Sequence, residues 1–251
     1  MSDLFSLAGR TAMVTGANTG LGPAMAVALA EAGADIVAVG RSAATETEAG
    51  VRAAGRAFHF VQADLCQPNI SGDIIAAAKA AAAAPDILVN NAGIIRRNDA
   101  LDFTEEDWDA VMDVNLKTAF FLSQAAAREM VPTGAGKVIN IASMLSFQGG
   151  VRVASYAASK SGIAGLTRLL ANEWAAKGIN VNAIAPGYFS TNNTEALRAD
   201  EARNKSILER IPAGRWGQPS DLGGAAVFLA SAASNYVHGA ILPVDGGWLA
   251  R

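Results

Sequence analysis

Short apolar runs alternate with longer Ala-rich segments along the whole chain. Thr11–Thr15, Ile36–Val39, Ala57–Val61, Ile87–Asn90, Val138–Ile141, Asn180–Ile184 and Ile241–Val244 carry Val and Ile with few polar interruptions, the pattern of strands buried on both faces. Between them Gly20–Ala32, Ala43–Ala54, Ser71–Ala83, Glu105–Met130, Ser155–Lys177 and Asp221–Ala232 read as helices. Thr104, with Asp107 three residues on, is a capping-box-like start, and Gly33 and Gly178 are placed to close two helices. Strands and helices alternating in this way predict βαβ crossovers: an α/β, doubly wound, seven-stranded parallel sheet with helices on both faces. No linker, charge run or repeat divides the chain, so 1–251 reads as one domain. Tyr188–Pro212 breaks the rhythm. It is long and highly charged, and it follows a strand where ligands of such sheets bind, which marks a substrate lid or a solvated surface helix.

Composition narrows the class. Hydrophobic residues make up 51% of the 251 and aromatics only 6%, so the chain is apolar in small pieces, which excludes disorder. The single cysteine, Cys66, excludes a disulfide scaffold and fits a reducing compartment. A net charge of −3 without a basic stripe predicts no nucleic-acid or anionic-membrane partner. Met1–Arg10 lacks the basic flank and apolar run of a signal peptide, and Lys79, Pro85 and Asp86 interrupt the most hydrophobic stretch, Ile74–Asn90. A soluble cytoplasmic protein is the expectation.

The first strand runs into Thr15-Gly16-Ala17-Asn18-Thr19-Gly20-Leu21-Gly22, which opens the first helix. Gly16 permits a tight turn, while Gly20 and Gly22 let backbone approach a pyrophosphate and helix pack on strand. The helix N-terminus then offers unpaired N–H groups to phosphates, and Pro23 is tolerated in the first turn. Without Gly-Lys-Ser/Thr this is not a P-loop, and the context points to a dinucleotide in a Rossmann-type fold. Tyr156 and Lys160 lie four residues apart on a predicted helix and so share a face. An ammonium beside a phenol is expected to lower its pKa toward the working range of an acid–base catalyst. In isolation, Tyr-x-x-x-Lys also describes a helix with a solvated lysine. No Gly-x-Ser-x-Gly elbow supports hydrolysis at Ser143, no His/Cys cluster suggests a metal, and His59 and His238 read as structural.

The Gly-x-x-x-Gly-x-Gly spacing, Asp64, Asn90-Asn91-Ala92-Gly93, Asn115, Ser143, Tyr156 with Lys160, and Pro186-Gly187 occur in the order of the short-chain dehydrogenase/reductase family, which the whole chain resembles. The resemblance implies that Tyr156 exchanges a proton with the substrate oxygen and Ser143 hydrogen-bonds that oxygen. It also implies that Lys160 holds the nicotinamide ribose and Asn115 braces a proton path. For the cofactor it implies contacts from Gly16, Asn18, Thr19, Gly20, Leu21, Gly22, Arg41, Ser42, Asp64, Leu65, Asn91, Ala92, Gly93, Tyr156, Lys160, Pro186, Gly187, Phe189 and Thr191. A homotetramer is implied on the same ground.

An acid ending the second strand would select NAD by binding the ribose 2′-OH. Val39-Gly40-Arg41-Ser42 has none, and Arg41 and Ser42 could receive a 2′-phosphate, so the cofactor is NADP or NAD with a lean to NADP. Ile94–Arg97, Ser143–Gly150, Thr191–Thr194 and Asp245–Arg251 resemble sugar-acid members of the family, implying a secondary alcohol–ketone conversion on a deoxy sugar acid of uronate breakdown, with reduction of 4-deoxy-5-hexoseulose uronate or dehydrogenation of gluconate at C5 as alternatives. Ser143, Gln148, Arg152, Tyr156 and Asn192 are the expected substrate contacts, with Asn193 a further hydroxyl partner. Arg96, Arg97, Arg152 and Arg203 are candidates for the carboxylate. A redox sensor that binds nucleotide without turnover is the reading from another class, and it would need none of Ser143, Tyr156 and Lys160.

Overall fold

Alternate residues of a strand point to opposite faces, so a strand apolar at every position must be covered on both. The computed structural model, which describes residues 4–251, shows this arrangement; Met1–Asp3, part of the stretch read for leader features, lie outside the described residues. Strands β1 (Thr11–Thr15), β2 (Asp35–Gly40), β3 (Phe58–Gln62), β4 (Ile87–Asn90), β5 (Gly136–Ile141), β6 (Ile179–Pro186) and β7 (Ile241–Val244) form one sheet in the order β3-β2-β1-β4-β5-β6-β7. Every pairing is parallel.

Helices α1 (Gly22–Glu31), α2 (Thr45–Ala53) and α9 (Gly223–Ala230) help cover one face; α3 (Ile70–Ala81), α5 (Ala119–Met130) and α6 (Ala154–Trp174) cover the other. Along β1 and β2, Ala12, Val14, Ile36 and Ala38 join the first core, while Met13, Val37 and Val39 join the second. Small residues set the spacing on the first face. A Cβ on Gly50 of α2 would lie 2.6 Å from Val27 of α1, and one on Gly223 of α9 would lie 2.8 Å from Ala28.

Three predicted elements differ most from expectation. The helix predicted over Glu105–Met130 is α4 (Glu105–Met112), a π-helical turn over Asp113–Thr118, and α5. The widened turn carries Asn115, whose side chain binds the backbone of Ile94 instead of facing the helix surface. Thr104 caps α4 by accepting from the Asp107 N–H at 3.2 Å. The first helix starts at Gly22 instead of Gly20, because Gly20 has φ +72° and belongs to the turn. Tyr188–Pro212 contains two helices, α7 (Glu195–Ala199) and α8 (Glu201–Arg210). Asp200 ends the first and caps the second by accepting from the Arg203 N–H at 3.0 Å.

No helix among the described residues is long and apolar enough to cross a membrane. Gly33 and Gly178 have φ of +112° and +80°, the left-handed geometry expected of helix ends. A Cβ at Gly178 would also collide with the carbonyl of Gly134, whereas one at Gly55 (φ +72°) would meet nothing within 4 Å. Gly178→Ala is therefore expected to destabilise by at least about 2 kcal/mol, adding overpacking to backbone strain, and Gly55→Ala by only about 1 kcal/mol. Urea unfolding of the two variants checks the difference.

Candidate active site

Strand order reverses between β1 and β4, and the C-terminal ends of β1, β4, β5 and β6 meet at one edge of the sheet. The Gly-rich turn lies there. Gly16 has φ +64°, and a Cβ on Gly22 would collide with the Gly16 carbonyl, so the turn and α1 close on each other only without side chains. Around a Cβ on Gly20, by contrast, nothing lies within 4 Å. No side chain caps the start of α1. An open glycine beside uncapped helix N–H groups fits the diphosphate of a dinucleotide.

The turn is locked to β4 from below. Thr15 Oγ1 accepts from the N–H groups of Asn91 (3.1 Å) and Ala92 (3.0 Å), and Asn91 Nδ2 donates to the carbonyls of Thr15 (2.9 Å) and Gly16 (3.2 Å). Asn18 Nδ2 donates to Ser42 Oγ at 2.8 Å, joining the turn to the end of β2. Arg41 next to Ser42 is exposed and has no carboxylate partner among the described residues. Asp64, after β3, accepts from the Cys66 N–H at 3.1 Å, and the Leu65 carbonyl accepts from Thr118 Oγ1 at 2.9 Å. Pro186 ends β6. A Cβ on Gly187 would lie 2.6 Å from Asp245 Cα, so glycine is required for the close approach of the chain after β7. Phe189 is buried, and the Thr191 carbonyl accepts from Arg198 Nη2 at 3.1 Å.

Asn115, Ser143, Tyr156 and Lys160 come together at this edge. Ser143 ends the segment after β5 and caps a 3-10 turn, Met144–Ser146, through the Leu145 N–H. Ser146 Oγ donates to the Lys160 carbonyl at 2.7 Å, tying that turn to α6. Asn115 Oδ1 accepts from the Ile94 N–H at 2.8 Å, and Nδ2 donates to the Ile94 carbonyl (2.9 Å) and Ser159 Oγ (3.3 Å). Gly93 fits between: a Cβ there would lie 3.3 Å from Asn115 Oδ1 and 3.8 Å from Lys160 Nζ.

The electrostatics correct one expectation. Lys160 Nζ donates to the Ile141 carbonyl at 2.6 Å and lies 5.6 Å from the centre of the Tyr156 ring, not in direct pairing with the phenol. Burial pulls the Lys160 pKa down to about 8. Burial likewise raises the Tyr156 phenol. Against burial, the Ser143 side chain and then the positive charge of Arg97 pull the phenol down.

Arg97 stands apart from the other arginines suggested for a carboxylate. Arg96 is paired with Asp107 at 3.0 Å and Arg152 with Asp99 at 3.1 Å, and Arg203 lies exposed on α8. Among the described residues, Arg97 Nη2 donates only to a backbone carbonyl, that of Asn193, at 3.2 Å. Asn192 and Asn193 lie exposed in the turn before α7. Gln148 Oε1 accepts from Trp248 Nε1 (3.2 Å) and Arg210 Nη2 (3.4 Å), while the Arg210 guanidinium stacks 4.1 Å from the Trp248 ring centre.

Two positioning features were missed from sequence. One is Thr15, whose hydroxyl joins β1 to the chain leaving β4. The other is a buried polar chain in which Asn90 Nδ2 donates to Ser123 Oγ (2.8 Å) and Asn140 Oδ1 (2.9 Å), and Asn140 Nδ2 donates to Thr167 Oγ1 (3.0 Å). Its available signal was Asn140, a lone polar residue within the Val-Ile-Asn-Ile run of β5.

Residues 16–249 match the family model described as enoyl-(acyl carrier protein) reductase. Over 248 residues the chain is 60% identical to the 2-dehydro-3-deoxy-D-gluconate 5-dehydrogenase of Escherichia coli, covering 98% of each chain. A crystal structure from Agrobacterium tumefaciens with NADP bound, for which 2-deoxy-D-gluconate 3-dehydrogenase activity has been suggested, is 63% identical, with 99% of each chain covered and a TM-score of 0.93. The gluconate 5-dehydrogenase of Burkholderia cenocepacia, in complex with NADP and tartrate, is 43% identical, with a TM-score of 0.94 over 100% of this chain and 99% of that one. Likeness of this order along the full length of each partner, on a sheet edge built as described, has one consequence: the chain belongs to the short-chain dehydrogenase/reductase family of NAD(P)-dependent oxidoreductases.

Proposed function

We propose that the protein is a 2-dehydro-3-deoxy-D-gluconate 5-dehydrogenase that prefers NADP and interconverts the substrate's secondary alcohol with the 2,5-diketo acid. The observation that carries this reading is Arg97, a cation with only a backbone partner, whose charge reaches the Tyr156 phenol. It suits a substrate that bears a carboxylate, which in this acid lies at C1, four carbon–carbon bonds from the reacting C5. The likeness to the Escherichia coli enzyme supports the specific acid. Gluconate 5-dehydrogenation is the second reading, supported by the Burkholderia relative.

Gly16, Gly20, Gly22 and the start of α1 would cradle the diphosphate, and Asn91, Ala92 and Gly93 would flank the nicotinamide half. Arg41 and Ser42 would take a 2′-phosphate. When bound, the nicotinamide supplies or accepts the hydride. Tyr156 gives its phenolic proton to the carbonyl oxygen in reduction and takes it back from the hydroxyl in oxidation. Ser143 orients that oxygen. Lys160 and Asn115 hold the far side of the site and relay the proton toward solvent. Gln148 and Asn192 address substrate hydroxyls, with the 188–212 segment as the lid, in which α7 moves against the wall that α8 forms; Arg152, engaged by Asp99, stands further from this role.

Single-domain organisation over the whole chain, a cytoplasmic location and a homotetramer complete the proposal. The tetramer is supported by exposed Trp108, Phe121 and Leu169 on α4, α5 and α6, and light scattering tests it.

A screen of NADPH and NADH oxidation against keto-deoxy sugar acids and 5-ketogluconate tests the substrate, and activity confined to non-acidic ketones would refute it. Tyr156→Phe should lower kcat by about 10²- to 10⁴-fold while leaving the NADP Kd unchanged. Arg97→Met should raise KM for the acid by about 10- to 100-fold, the effect of losing a charge-assisted hydrogen bond, and Arg152→Met should change it little.

Because burial raises the Tyr156 phenol, alcohol oxidation, which needs the phenolate, should accelerate with rising pH, and ketone reduction should slow over the same range. Arg97→Met, which removes the positive charge that pulls the phenol down, should move both limbs to higher pH. A pH–rate profile in each direction checks the sign.

A further inference from the structure

A second cavity opens at the opposite, N-terminal edge of the sheet, far from Tyr156 in the fold. It has a volume of about 350 Å³ and lies among the starts of β1, β4, β5 and β6, the end of α9 and the turn before β7. That volume falls at the lower end of the range of small-molecule sites, about 300–1,000 Å³.

Its charges are unbalanced. Arg10, Lys137, His238 and Asp86 line it, so among the described residues its wall carries one guanidinium, one ammonium and one carboxylate. That carboxylate is already engaged. Asp86 Oδ1 accepts from Arg10 Nη1 at 3.1 Å, and Oδ2 accepts from the Thr11 N–H at 2.9 Å. Lys137 has no acidic partner among the described residues. Its Nζ donates to two neutral oxygens, Asn235 Oδ1 at 2.8 Å and Ser234 Oγ at 3.3 Å. An ammonium has three donors and a guanidinium five, so both cations retain N–H groups for a ligand. Burial, reinforced by the nearby charge of Arg10, holds the Lys137 pKa down to about 8, so an anion placed between the two would relieve a real electrostatic cost.

The remainder of the wall suits a carbon body. Leu7, Ile87, Ala175 and Ala230 line it without polar side chains, and His238 and Asn180 add hydrogen-bonding capacity at one side. An inorganic ion alone would leave most of this volume unused.

We propose that this cavity is a second ligand site, which takes a small organic acid with its carboxylate between Lys137 and Arg10. The site is separate from the reaction centre and does not depend on the substrate assigned there.

Citrate is a suitable probe, titrated calorimetrically into NADP-saturated protein carrying Arg97→Met, so that neither the cofactor cradle nor the candidate substrate cation contributes. Saturable binding is expected. Adding Lys137→Met should weaken it by at least about tenfold, the scale of one charge-assisted hydrogen bond, whereas Lys137→Arg should retain it. Ala232→Trp, which fills the cavity from its exposed rim without touching the lysine, should abolish it, and thermal unfolding confirms that each variant is folded. A purely structural Lys137 predicts a lower Tm in Lys137→Met with citrate binding intact, and that result overturns the proposal. So does absence of citrate binding before the Lys137 change, or binding that survives Ala232→Trp.

Discussion

Covering a parallel sheet on both faces leaves no water for any polar group placed within it, so such a group must find partners inside the protein. The chain Ser123–Asn90–Asn140–Thr167 meets this demand by joining α5, β4, β5 and α6 through side chains that are all at most 6% exposed. Each link is satisfied: Thr167 Oγ1 donates onward to the Ile163 carbonyl at 2.8 Å, and Ser123 Oγ to the Ala119 carbonyl at 2.7 Å. Apolar contacts tolerate sliding of a helix on a sheet, but a hydrogen-bonded chain does not. Thr167 lies seven residues from Lys160, on the same face of α6. The chain therefore fixes the rotation of the helix that presents Tyr156 and Lys160, and the placing of the helix that follows Asn115.

Most of this architecture was legible because the buried strands are continuous apolar runs and the turns are marked by glycine. All seven strands fall within two residues of their predicted bounds. The misread places share a physical cause. The π-turn at Asn115 arises because a side chain satisfies the backbone of Ile94, a contact with a residue 21 positions away that no local periodicity records. The break at Asp200 is an ordinary capping event inside a charged stretch where hydrophobic period carries no information. The site residues were legible through ordered motifs, but their electrostatics were not. Spacing puts Tyr156 and Lys160 on one face, whereas only the fold shows that Lys160 turns to the Ile141 carbonyl and that Arg97, from another loop, supplies a charge felt by the phenol.

The same reasoning orders the candidate arginines. In sequence all are equivalent loop or surface cations. Ion pairing separates them: a guanidinium already held by a carboxylate gains less from a second anion than one held by a carbonyl. Asp107 and Asp99 thus remove Arg96 and Arg152 from first consideration, and of the two left without a carboxylate among the described residues, Arg203 on α8 and Arg97, it is Arg97 whose charge reaches the Tyr156 phenol.

Arg97 also touches the segment before α7, and the two helices there are held very unequally. α8 buries Ile207 in an apolar cluster with Met144, Ile211, Trp216 and Trp248, and the C-terminal Arg251 donates to the Glu209 carbonyl, so the chain end clamps it to the wall of the site. α7 buries no residue, and its own Arg198 leaves Nε buried without a partner among the described residues. Local opening follows the lowest density of buried contacts, which places it at α7 and leaves α8 as a fixed wall. Since the Asn193 carbonyl is an Arg97 partner, an acid that occupies Arg97 acts on the turn that leads into the less firmly held of these two helices.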